Sequence, residues 1–190
     1  MTRKSAKQPQ AIYQLKITLS GCKPPIWRRL LVPDTFTLAQ LHEAIQICMG
    51  WEDYHLHQFT IDFVNYGRPS ADDWEPVQDE RRITLQKLGI QKHDKFKYIY
   101  DFGDDWLHQI VVEQILLPDA EAHYPVCIKG KMAGPPEDVG GIYGYAGFLD
   151  AIQDPDHEEH DAYLEWIGGA FDPAAFDMEE INQQLRTAFR

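Results

Sequence analysis

With 190 residues, 44% of them hydrophobic and 12% aromatic, the chain can bury one good core, which excludes a disordered or low-complexity protein. The net charge of −12 is unevenly carried: residues 1–100 hold 14 Lys and Arg against 11 Asp and Glu, whereas residues 101–190 hold 4 against 19. A field of one sign repels its like, so the second half is excluded as a surface for a phosphate backbone. Any nucleic-acid contact falls to Lys16, Lys23, Arg28 and Arg29.

The basic start MTRKSAKQPQ has no apolar signal-peptide run behind it, and no stretch approaches the roughly 20 apolar residues of a membrane span. A cytoplasmic location without membrane contact is expected. Residues 1–10 are expected to form a disordered basic tail and 11–190 a single domain. IYQLKITL (12–19) alternates apolar and polar residues and, after a Gly/Pro turn, IWRRLLVP forms its hairpin partner. Thr37 with Gln40 makes a capping box, with Phe36 and Leu41 at the staple positions. Leu38, Leu41, Ile45 and Cys48 line one helical face, and Gly50 stops the helix.

HLHQFTIDF reads as a strand with His55, His57, Phe59 and Ile61 on one face. The polar stretch from Tyr66 to Arg82 reads as a long connection, and ITLQKLGI as a short helical turn. KYIYDFGDDWLHQIVVE is a hairpin. The following HYPVCIKGKMAGPPEDVGG is too rich in Gly and Pro for regular structure, and the last third reads as helices, the final one N-capped by Asp177 with Glu180 three residues on. The order predicts an α+β fold: a mixed or antiparallel sheet packed on one main helix, with a ββα, β-grasp-like start and C-terminal helices.

Four segments, GWEDYHLHQFTI, YIYDFGDDWLHQIVVE, GPPEDVGGIYGYAGFLDAIQDPDHEEH and WIGGAFDPAAFD, resemble in order the plasmid pRiA4b ORF-3-like family. That resemblance implies an α+β domain of unestablished biochemical function, found near mobile elements, some members of which carry resolvase-like labels. A serine resolvase needs a nucleophilic Ser among arginines, and Ser5, Ser20 and Ser70 have no such setting. Many relatives carry a Cys before the Pro-Pro-Glu-Asp segment, where this chain has Gly134. A thiolate site with Cys127 is therefore not expected.

A two-residue turn at Gly103-Asp104 would pair Phe102 with Asp105, Asp101 with Trp106 and Ile99 with His108, making Asp101 and His108 diagonal neighbours on one face. Joined by His55 and His57, and by Glu137 and Asp138, they form a donor set for Zn, Mn or Fe. Asp101, His108, Glu137 and Asp138 are the catalytic candidates, and His55, His57, Asp101 and His108 the metal candidates. The plainer alternative is a set of solvated turn acids and hydrogen-bonded core histidines. His157 and His160 are three apart, not the four of HExxH, and the glycines of GPPEDVGGIYGYAG lack the GK[ST] of a phosphate loop. The expectation is a binding or accessory module with a protein partner. A metal-dependent hydrolase is the alternative, and DNA binding through the N-terminal hairpin the weaker one.

Overall fold

The computed structural model describes residues 8–71 and 74–190. The expected basic tail therefore lies, for residues 1–7, outside the described residues. The strands are β1 (Ile12–Leu19), β2 (Trp27–Pro33), β3 (His57–Ile61), β4 (Val64–Gly67), β5 (Val77–Asp79), β6 (Lys95–Tyr100), β7 (Trp106–Leu116) and β8 (Val126–Lys131). They form one sheet in the order β5-β4-β3-β6-β7-β1-β2-β8, antiparallel throughout except for the parallel β4–β5 pair. The helices are α1 (Leu38–Met49), α2 (Leu85–Leu88), α3 (Gly141–Gln153), α4 (His160–Trp166) and α5 (Met178–Ala188). The architecture is the expected α+β fold. Among the described residues no helix is long and apolar enough to cross a membrane.

Alternation along the strands decides the two faces of the sheet. Leu15, Ile17, Leu19, Phe96, Tyr98, Tyr100, Trp106, His108, Ile110 and Val112 are buried, while Gln14, Lys16, Lys97 and Gln109 between them are not. Leu38, Leu41, Ala44, Ile45 and Cys48 of α1 join that core. The helix begins as its sequence predicts: Gln40 N donates to Thr37 Oγ1 while Thr37 N donates to Gln40 Oε1. It ends at Gly50, whose φ is 80°. Phe36 packs its ring 5.1 Å from Phe189, which fastens the C-terminal helix to the start of α1.

Besides β4, for which no strand was expected, two elements depart from the sequence reading. The Gly/Pro-rich stretch contains β8, and the long connection after Tyr66 contains β5. Both are edge strands, short and weakly patterned, that gain their conformation from a neighbour already in place. The free edge of β8 is met by Asn182 of α5, whose Oδ1 accepts from Cys127 N at 2.7 Å and whose Nδ2 donates to Cys127 O at 2.8 Å. One side chain thus stands in for a strand.

The four expected nucleic-acid contacts are not equivalent. Arg28 is 2% exposed, and its guanidinium donates to the carbonyls of Cys48, Trp27 and Lys131. It cannot reach a phosphate. Arg29 and Lys16 face solvent on the opposite side of the sheet, and Lys23 sits in the exposed β1–β2 turn.

Candidate functional site

The β6–β7 connection is a five-residue loop, not a two-residue turn. Tyr100 pairs with Trp106, Ile99 with Leu107 and Tyr98 with His108, one position from the predicted register. Both Asp101 (φ 55°) and Asp105 (φ 58°) adopt the left-handed conformation that aspartate tolerates, and Asp105 N donates to Asp101 O at 2.7 Å. A one-residue change of register exchanges the faces of a strand. His108 therefore turns into the core, and the expected Asp101–His108 pair does not form. His108 is fully buried between Trp51 and Tyr98, donates Nδ1–H to Trp106 O at 2.8 Å, and is held by burial at a pKa of about 4.

Asp101 instead meets His55. Three chain segments converge here: the loop after α1, the hairpin loop, and the Gly/Pro loop before α3. His55 Nε2 lies 2.8 Å from Asp138 Oδ1 and 3.6 Å from Asp101 Oδ2. A nitrogen of His55 and carboxylate oxygens of Asp101 and Asp138 lie within 4.8 Å of one another. Asp101 is buried, with Oδ1 accepting from Gly103 N at 2.9 Å, while the Asp138 side chain is 64% exposed, so the cluster opens to solvent on one side.

The loops are held by backbone contact as much as by side chains. A Cβ on Gly134 would stand 2.0 Å from Met49 O, and one on Gly141 would stand 2.4 Å from Asp104 O. No side chain fits either approach. Asp104 Oδ2 accepts from Gly140 N at 3.0 Å, and Trp51 Nε1 donates to Pro135 O at 2.9 Å. Glu137 Oε1 accepts from Glu52 N and from Tyr100 OH, both at 2.9 Å, and the Tyr100 oxygen accepts from Tyr54 N at 3.1 Å. Burial and the Glu137 carboxylate raise the Tyr100 pKa, so its hydroxyl stays protonated and donates. Glu137 Oε2 is buried without a protein partner among the described residues.

His57 belongs elsewhere. Its Nε2 is 2.8 Å from Glu80 Oε2, both side chains being almost fully buried, and its ring stacks on His42 at 3.4 Å and 6°. His42 Nδ1 is 2.7 Å from Tyr98 OH and Nε2 is 2.9 Å from Asp53 Oδ1. Gln46 Nε2 donates to Tyr98 OH, Gln46 Oε1 accepts from Asp53 N, and Arg68 donates to Asp53 Oδ2 at 2.7 Å. Burial, and then the neighbouring His57, lower the His42 pKa to about 4. His42, Asp53, Arg68 and Glu80 line an open cavity of about 480 Å³. Tyr100 stands between the two networks, 6.4 Å ring to ring from His42 and 6.0 Å from His55.

No single centre therefore gathers His55, His57, Asp101 and His108. The sequence reading missed His42, Asp53 and Glu80. The one signal present was a histidine on the apolar face of α1, since Asp53 reaches it from a loop and Glu80, in a 3-10 turn, bonds His57.

Comparison with known proteins agrees with this fold. A family model described as "Plasmid pRiA4b ORF-3-like protein" matches residues 11–180. The chain is 38% identical over 180 residues to the uncharacterized protein y4hQ of Sinorhizobium fredii, covering 92% of this chain and 91% of that one. It is similar to the crystal structure of a protein of unknown function, MM3350 from Methanosarcina mazei Go1, with a TM-score of 0.82 and 37% identity over 91% of this chain and 97% of that one.

Proposed function

The chain belongs to the plasmid pRiA4b ORF-3-like family, whose relatives named above are uncharacterised, and from that premise we propose that it is a binding module whose loops hold a divalent cation. The observation that carries this reading is the approach of His55, Asp101 and Asp138 from three separate segments to within 4.8 Å. One imidazole and two carboxylates suit Mn, Zn or Fe, and water at the exposed Asp138 side completes the shell. A cation there neutralises acids that the hairpin and the Gly/Pro loop bring together. It also ties three loops already linked by hydrogen bonds, close backbone contacts and the stacking of Trp51 on Tyr100.

The His42–Asp53–His57 group is the poorer host, although its donor atoms are as close. Rings 6° from parallel direct their nitrogen lone pairs side by side, not toward one point. A shared ion there requires one ring to turn. The stack instead serves as a hydrogen-bonded support for the loop carrying His55.

Hydrolysis by the bound ion is the second reading, favoured by Glu137, the sequence neighbour of Asp138, whose Oε2 has no protein partner among the described residues and would serve as proton acceptor. The test begins with elemental analysis of freshly purified protein. About one equivalent of metal, lost in Asp101→Asn and Asp138→Asn but kept in His42→Gln, supports the His55 site. Equal metal content in all of these proteins overturns it. Turnover of phosphate or carboxylate esters by the metal-loaded protein, abolished in Glu137→Gln, would favour the hydrolase over the binding module.

A further inference from the structure

On the solvent face of the sheet, directly paired residues line up in two rows across five neighbouring strands. The first runs Lys95 (β6), Val111 (β7), Lys16 (β1), Arg29 (β2), Lys129 (β8). The second runs Lys97, Gln109, Thr18, Trp27, Lys131 in the same strands. Residues directly opposite in antiparallel strands share a face. At strand spacings of about 4.8 Å, each row spans about 19 Å.

Six cations thus stand on one open face of a protein whose net charge is −12. The one acid among these strands that joins them is Glu113, whose carboxylate accepts from Arg29 Nε and, at 2.8 Å, from Arg29 Nη2 and Gln14 Nε2. Trp27 lies among them, with Lys16 Nζ and Arg29 Cζ each 5.3 Å from its ring centre. Lys95, Lys97, Lys129 and Lys131 are exposed, and no ion pair involving them occurs among the described residues.

Like charges in register across a sheet are unfavourable unless a counter-charge meets them. We propose that this face binds single-stranded nucleic acid, the lysine rows meeting phosphates and Trp27 stacking on a base. An open sheet with an aromatic among cations presents an accessible flat surface on which splayed bases stack. The acidic C-terminal helices disfavour a phosphate backbone on their own surface, whereas β7 and β8 of the same half contribute to the cationic sheet face. This surface differs from the hairpin expected from sequence: Lys16 and Arg29 remain, Arg28 leaves, and β6 and β8 supply the rest. It is independent of the cation site.

The test is fluorescence anisotropy of a labelled oligothymidylate with the full chain. Four phosphates neutralised predict a log–log salt slope of about −2.8, or a roughly 50-fold loss of affinity between about 50 and 200 mM salt. Lys16→Glu with Lys97→Glu should lower affinity more than tenfold, whereas Lys87→Glu with Arg186→Glu, equal in charge change but off the face, should leave it within about twofold. Trp27→Leu should weaken binding without changing the salt slope. Should the glutamate pair fail to fold, Lys95→Gln with Lys129→Gln, on exposed positions, is expected to reduce the slope by more than one unit. Absence of binding at low salt, equal losses in the two charge-matched pairs, or tighter binding of duplex than of single strand would each overturn the proposal.

Discussion

Asp101 combines a left-handed backbone with a carboxylate of two uses, one oxygen capping Gly103 N and the other turned to His55. Asparagine tolerates the same backbone and keeps the cap oxygen. Asp101→Asn is therefore expected to leave the melting temperature within a few degrees while lowering divalent-metal affinity by more than about tenfold, as titration calorimetry would read. His108 gives a prediction of a different kind. Its folded pKa of about 4 lies below the unfolded value of about 6.5, so the unfolded chain binds the extra proton. Its contribution is complete above about pH 6.5 and is lost as the pH falls toward 4, a change of about 3 kcal/mol. Denaturant unfolding between those pH values should show a clearly smaller drop in His108→Phe than in the parent. An equal drop would mean that the buried imidazole is not the source.

At the scale of elements, local and non-local causes separate. Helix α1 carries its own start signal, and Thr37→Ala should cost about 1 kcal/mol. Strand β8 depends on what flanks it: β2 on one side and the Asn182 amide on the other. Removing that amide in Asn182→Ala should cost about 1–2 kcal/mol and, by baring a strand edge, promote association visible by light scattering. The Gly/Pro loop is sensitive for a steric reason, because Gly134 lies against the Met49 carbonyl. Gly134→Ala must move backbone and not a flexible side chain, so a loss of at least about 2 kcal/mol is expected in thermal unfolding. A stable Gly134→Ala protein would show that the loop can lift from α1.

Across the whole molecule, the charge asymmetry read from composition becomes a spatial one. The lysines of strands far apart in sequence gather on one sheet face, while acids collect in the loops at the His55 end and in the C-terminal helices. A cation that binds the folded site and not the unfolded chain stabilises by mass action, by about 2.7 kcal/mol at a hundredfold excess over its Kd. Added Mn should thus raise the melting temperature of chelator-treated protein, and should not do so in Asp101→Asn with Asp138→Asn. Glu80→Ala, which leaves the His55 cluster intact but removes the acceptor of the buried bond from His57, should lower the starting stability while preserving the metal-induced rise.

The chain by itself determined what depends on neighbours in sequence. The capping box of α1, the alternation of β1 and β2, the Asp177 cap of α5 and the division of charge all follow from side chains within a few residues of one another, so their pattern survives without a fold. It also put His55, Asp101 and Asp138 in one candidate set, together with His57 and His108, which the fold sends elsewhere. Only the tertiary structure decided that His108 faces the core, because the register of the hairpin turned on the left-handed conformations of Asp101 and Asp105. Only the tertiary structure brought His42 to His57, and the lysines of β1, β6 and β8 into rows. Cross-strand order and long-range loop contact are set by burial of the whole sheet face, a property that no local window of sequence contains.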